Sequence, residues 1–163
     1  MAKKRSYRIV HESYLAEWLG ITYPPGTWRT NVRLGDKLLG REIQGLTEEE
    51  RRALMPFGAS ADAIVCLPTE THIVEAMVRH EPGAMEDLLK YKELLPYTTG
   101  YEKAAEKPIR LIILTPLELG WYEKFYNKYG VEVEHYSPLW IREYLASYPR
   151  KYWRGKLSSL PSA

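Results

Sequence analysis

The run Pro108-Ile-Arg-Leu-Ile-Ile-Leu114 constrains the fold more than any other stretch of the chain. Apart from Arg110 its interior is continuously apolar, and it is short, the mark of a strand covered on both faces. A strand buried on both sides needs helices above and below it, which places the chain among α/β proteins. Its 163 residues suffice for one such domain with a core of its own and are too few for two. Apolar residues at 45% and charged residues at 27% belong to a folded chain rather than a disordered one.

The flanking patterns supply the other layers. Ile9, Tyr14, Leu15, Trp18 and Leu19 fall near one stripe of a helix over 8–19, with Gly20 as its stop. Tyr23-Pro-Pro-Gly26 is a loop, and Trp28 to Leu34 alternates as a strand carrying Arg29 and Arg33. Gly35, Gly40 and Gly45 punctuate an irregular stretch. Thr47 and Glu50 form a capping box for a short helix over 48–55 that Pro56 ends. Ala61–Leu67 and Thr71–Val78 are strands joined by the Pro68-Thr-Glu70 turn, and they pair as a hairpin. A helix over 83–95 follows, with Met85, Leu88, Tyr91 and Leu95 near one face, and then a polar connection over 96–107. Beyond the buried run come a helix from Trp121 to Tyr129 capped by Gly130, and an alternating strand Val131–His135. A last helix runs from Ser137 to Tyr148, with Ser137 as N-cap and Pro138 at the first position. A hairpin feeding helical crossovers makes a mixed sheet with helices on its faces. Residues 1–148 read as a single α/β domain, with 1–58 as its elaboration, and 149–163 as a basic, aromatic tail. No internal repeat is present.

Several classes are excluded. The single cysteine, Cys66, permits neither an internal disulfide nor a cysteine zinc site, and its apolar surroundings point to a buried, inert thiol. No apolar stretch reaches the length of a membrane span, so no membrane partner is expected. The basic start has no apolar segment behind it and reads as no secretion signal, so the expected location is the cytoplasm or a particle assembled there. A net charge of +2 argues nothing by itself about nucleic acid; any basic surface must come from local clustering. One cluster exists: Arg150, Lys151, Tyr152, Trp153, Arg154 and Lys156 interleave cations with aromatics, which suits phosphate contact and stacking on bases or sugars. The same tail can equally tuck its aromatics back onto the domain. Lys3-Lys-Arg5, Arg29 and Arg33 would extend a basic surface. The 13 Tyr and 5 Trp against 2 Phe favour a binding surface, because these rings join an apolar body to a polar tip.

Chemistry concentrates at the hairpin. Asp62 opens its first strand and Glu75 lies near the end of the second, so the turn brings the two carboxylates toward one edge of the sheet. Converging carboxylates with a backbone carbonyl are hard oxygen donors suited to Mg2+ or Mn2+. The text around them, Asp62-Ala-Ile-Val, Ile73-Val-Glu-Ala-Met77, Pro82-Gly83 and Asp87-Leu-Leu-Lys-Tyr91, resembles the PD-(D/E)XK, or restriction-endonuclease-like, nuclease superfamily over roughly residues 59–135. The resemblance implies a restriction-endonuclease-like mixed central sheet and a metal-dependent phosphodiesterase acting on DNA. It makes Asp62 and Glu75 metal ligands with the Ala76 carbonyl as a possible third, and matches Tyr91 to the helix tyrosine.

Three departures stand against it. Ala61 replaces the motif's proline, Asp87 replaces the helix glutamine, and Met77 replaces the catalytic lysine. That lysine orients water and stabilises developing negative charge, which a thioether cannot do. Lys90 and Lys92 on the following helix are the candidate replacements, with Arg79 a poorer third; otherwise the two lysines are a solvated face. Glu12 and Glu17 are available as an upstream acid, with nothing to choose between them. His72, His80 and His135 are scattered and suggest no site. Two expectations follow: a divergent, catalytically impaired Mg2+-dependent endonuclease, or a DNA-binding or structural protein, for example of a phage-like particle, that kept the fold without the chemistry. Members of the superfamily often dimerise, so a homo-oligomer or an assembly partner is possible.

Overall fold

The computed structural model describes residues 6–38, 47, 49, 59–147 and 156–157. The helix predicted over 48–55 lies outside them, apart from Glu49. Ser6 N-caps α1 (Tyr7–Thr22), its Oγ accepting from the Ile9 N–H. The helix runs through Gly20 and stops only where Pro24 holds Tyr23 in extended backbone, at φ −123° and ψ 153°. Its buried residues are Val10, Tyr14, Leu15, Trp18 and Leu19; four of the five expected residues face inward, while Ile9 is 52% exposed and Val10 takes its place.

Three strands follow as a meander: β1 (Trp28–Arg33), β2 (Ser60–Cys66) and β3 (Thr71–Ala76). The Leu67 N–H donates to Glu70 O at 2.9 Å and closes the turn between the last two. Next come α2 (Ala84–Leu94), running into a 3-10 turn at Leu95–Tyr97, and a one-turn helix α3 (Glu102–Ala105) in the stretch predicted as a plain connection. The apolar run is β4 (Ile109–Thr115), its last five residues all buried, as strands covered on both faces must be. The remaining elements are β5 (Leu117–Glu118), α4 (Trp121–Lys128), β6 (Val131–His135), α5 (Leu139–Ala146) and β7 (Lys156–Leu157).

Five strands form one mixed sheet in the order β1-β2-β3-β4-β6. The first two pairings are antiparallel, and β3–β4 and β4–β6 are parallel, so β2 alone runs against the rest. β5 and β7 form a separate two-stranded pair. Helix α2 buries Ala84, Met85, Leu88 and Tyr91 beside β3 and β4. Helix α1 is tied to the chain after β6, where the Tyr14 hydroxyl donates to Tyr136 O at 2.6 Å and the two rings stack. Glu17 accepts from the Tyr136 hydroxyl and from Trp140 Nε1 of α5. Among the described residues no helix is long and apolar enough to cross a membrane.

Two local expectations are corrected. Cys66 is exposed, because it is the last residue of β2 and lies in an open groove with Thr27, Trp28 and Tyr101 rather than under a helix. Helix α5 starts at Leu139 with Pro138 as N-cap, since that proline sits at φ −64° and ψ 155°, outside helical backbone. Ser137 Oγ is buried without a hydrogen-bond partner and caps nothing.

Candidate functional site

Asp62 and Glu75 are placed by the β2–β3 pairing. Their register matches Ala63 with Val74 and Ile64 with Ile73, and one further step sets Asp62 opposite Glu75. The acids do come together, and each has a distinct role in the geometry. Asp62 is fixed: its Oδ2 accepts from the Ala76 N–H at 2.9 Å. Glu75 is half-buried, and its Oε2 is enclosed without a hydrogen-bond partner. Burial, the Asp62 charge and the more distant Asp87 and Glu81 push the Glu75 carboxyl up to about 9, although a backbone hydrogen bond from Asp62 offsets part of this.

Tyr91, on the inward face of α2, joins the same cluster. Its phenol is raised by burial and then by the charges of Glu75, Asp87 and Asp62. The tyrosine and the two carboxylates predicted from the sequence are therefore brought together, with Asp87 at the margin. Glu81 also borders the cluster, accepting from the Tyr7 hydroxyl at 2.9 Å, and the Arg79 guanidinium lies 3.4 Å over the Tyr7 ring.

The lysines are not part of the cluster core. Lys90 Nζ is 2.9 Å from Asp87 Oδ1 on the exposed side of α2, and Lys92 is exposed. Met77 is fully buried. Its N–H donates to Leu114 O at 2.7 Å and its carbonyl accepts from Thr115 Oγ1 at 2.7 Å, so both backbone groups at 77 are held by β4. Lys90 reaches the acids only through Asp87.

His11 is the site residue that the sequence reading missed. Its Nε2 lies 2.9 Å from Ala76 O and 3.3 Å from Asp62 Oδ2. A carbonyl oxygen only accepts, so Nε2 carries the hydrogen. Burial opposes a charge on this imidazole, but the Asp62 carboxylate and the Ala76 carbonyl outweigh it and raise the group to about 9. His11 therefore stands as a cation beside Asp62. The signal was available: Tyr7, His11, Tyr14 and Trp18 form an i, i+4, i+7, i+11 stripe on α1, which points His11 at the sheet.

The other sequence candidates lie elsewhere. Glu12 pairs with Arg8 at 2.9 Å, and Glu17 is engaged with Tyr136 and Trp140. His72 is 3% exposed, with Nδ1 at 2.7 Å from the Tyr23 hydroxyl and Nε2 at 2.8 Å from Glu70, a structural clamp far along β3. His135 meets Glu123 at 3.0 Å, and His80 packs against Tyr122. Arg150, Lys151, Tyr152, Trp153 and Arg154 lie outside the described residues; Lys156 belongs to β7, paired with Glu118.

A divalent cation would find Asp62 and Glu75 as hard donors. The Ala76 carbonyl, expected as a third, is already held by His11. Among the described residues no group of three or more His, Cys, Asp or Glu side chains stands ready to hold a metal ion. Comparison of the chain with protein-family models, with curated proteins and with solved structures finds no match to any of them.

Proposed function

We propose that this chain is a divergent protein of the PD-(D/E)XK, restriction-endonuclease-like plan: DNA-associated, binding Mg2+ or Mn2+ through Asp62 and Glu75, with its hydrolytic step impaired. The observation that carries the reading is Glu75 Oε2, a buried carboxylate oxygen without a hydrogen-bond partner, facing a second carboxylate across a strand pair. A buried unpaired acid is costly, and a cation shared with Asp62 relieves both the desolvation and the like-charge repulsion. The strand–strand–helix–strand–helix–strand order, and a mixed sheet that places the acids on adjacent strands, support the same plan.

When bound, the cation supplies Lewis acidity toward a phosphate oxygen. What the chain itself supplies is positioning. The Ala76 N–H fixes the Asp62 carboxylate, and His11 fixes the Ala76 carbonyl and balances the Asp62 charge. Tyr91 lies within electrostatic reach of Glu75. No group at position 77 orients a water or stabilises charge on phosphate, and a missing donor of that kind slows a reaction by roughly two to three decades.

Calorimetric titration with Mn2+ tests the cation site: binding by the wild-type chain and its loss in Glu75→Gln are expected. Mn2+ binding that survives both Glu75→Gln and Asp62→Asn would sink the reading. Plasmid nicking by wild type and by Met77→Lys then tests the chemistry, with gain in the lysine variant expected.

The complete burial of Met77 favours a second reading, a DNA-binding or structural assembly protein that keeps the fold without catalysis. Met77→Lys protein that binds Mn2+ and DNA yet cuts neither strand supports that alternative.

A further inference from the structure

Asn31 is the one non-glycine residue with a positive φ among the described residues, at 51°. It sits inside β1, where no turn or cap calls for such backbone. The pairing on either side is continuous, Thr30 with Ala63 and Val32 with Ala61, so no inserted residue explains it as a bulge. Asparagine tolerates left-handed backbone better than most residues but is still strained there. Strain of this kind persists where the surroundings hold it, and it clusters at binding sites.

The position is specific. The β1–β2 register sets Asn31 opposite Asp62, and both residues line a cavity of about 250 Å³ together with His11, Glu12 and Thr30. β1 is an outer strand of the sheet, and Arg29, Thr30, Asn31 and Arg33 are all exposed on it. At a strand rise of about 3.3 Å per residue, Arg29 and Arg33 are separated by roughly 13 Å with Asn31 midway. Nearby acids are already engaged, Glu12 with Arg8 and Asp62 with His11.

We propose that β1 is the docking edge for a polynucleotide backbone, with Arg29 and Arg33 on flanking phosphates and the Asn31 amide on the phosphodiester presented to Asp62. This rests on the DNA-associated reading above and adds to it the route by which the strand reaches the acids. The amide and the Thr30 hydroxyl are neutral donors, suited to a phosphate oxygen that must lie close to a carboxylate-held cation. An acidic protein segment could meet the same arginines, but it has no use for a neutral donor residue set opposite Asp62.

Fluorescence anisotropy with a short labelled duplex in Ca2+, over a series of salt concentrations, tests the proposal alongside thermal melts. Arg29→Ala/Arg33→Ala is expected to lose about tenfold in affinity and to lower the log–log salt slope by about 1.8, the value for two phosphate contacts. Asn31→Gly is expected to bind several-fold more weakly while melting about 1–3 °C higher, because glycine relieves the strained backbone. A purely structural role for Asn31 would not separate the two readouts. An unchanged salt slope in the double variant, or wild-type affinity in Asn31→Gly, overturns the docking edge while leaving the DNA reading in place. Wild-type protein that fails to bind the duplex overturns both.

Discussion

Position 77 shows how one side chain decides between two functions on one backbone. Met77 shares its strand face with Glu75, two residues before it, and is fully enclosed. A lysine placed there has one good partner, the Glu75 carboxyl. Met77→Lys should therefore bring that carboxyl from about 9 back toward the ordinary range, read by NMR titration of the glutamate side chain. An unmoved titration would mean that the ammonium points elsewhere. Asp62, Glu75 and Tyr91 were legible because a hairpin of defined length must bring Asp62 and Glu75 together, and because Tyr91 lies on the apolar face of a helix. For His11 the stripe on α1 shows only that the ring faces the sheet; that a carboxylate on a distant strand meets it there is not written in the local sequence. Asn31 left no trace either, because its backbone angle is invisible in the sequence.

At the scale of elements, β4 was the most legible because burial on both faces writes its character into every residue. The bounds of β6 were also read correctly, from its alternation. Helix ends were read less well where a proline outside the helix set the boundary, as at the end of α1 at Thr22 and the start of α5 at Leu139. Two-residue strands such as β5 and β7 carry too little pattern to be read at all. The packing of α2 onto the sheet should depend on Leu88, fully buried at its centre, so Leu88→Ala is expected to cost about 2–5 kcal/mol in chemical denaturation. The attachment of α1 should depend on the Tyr14 hydroxyl and its bond to Tyr136 O. Removing it in Tyr14→Phe leaves a buried carbonyl short of a donor and should cost about 1–2 kcal/mol. A much smaller loss would show that ring stacking alone holds the helix.

Across the whole molecule the two perturbed groups act in the same direction. The His11 imidazole rises from 6.5 to about 9 on folding, so its contribution is full below pH 6.5 and is lost as pH climbs through 9. The Glu75 carboxyl rises from 4.5 to about 9, so the folded state favours its protonated form, an advantage that is full below pH 4.5 and is lost as pH climbs through 9. The melting temperature should therefore fall from about pH 4.5 to 9, more steeply above about 6.5 where both groups contribute. Asp62→Asn, which removes a charge that raises both groups, should flatten the fall, and saturating Mn2+ should reduce it in wild type. A melting temperature constant over this range would contradict both assignments.

The two outer strands of the five-stranded sheet carry charges of opposite sign: Arg29 and Arg33 stand exposed on β1, and Glu134 stands exposed on β6, where Glu132 is already paired with Arg110 of β4. The sheet is thus an electric dipole lying across its strands, with its positive pole at the margin nearest Asp62. On the proposed DNA-associated reading, a polyanion drifting toward the protein would be turned by that field before contact, toward β1 and away from β6. Orientation is then settled during approach, within a Debye length of about 8 Å at physiological salt, and it fades as added ions shorten that distance.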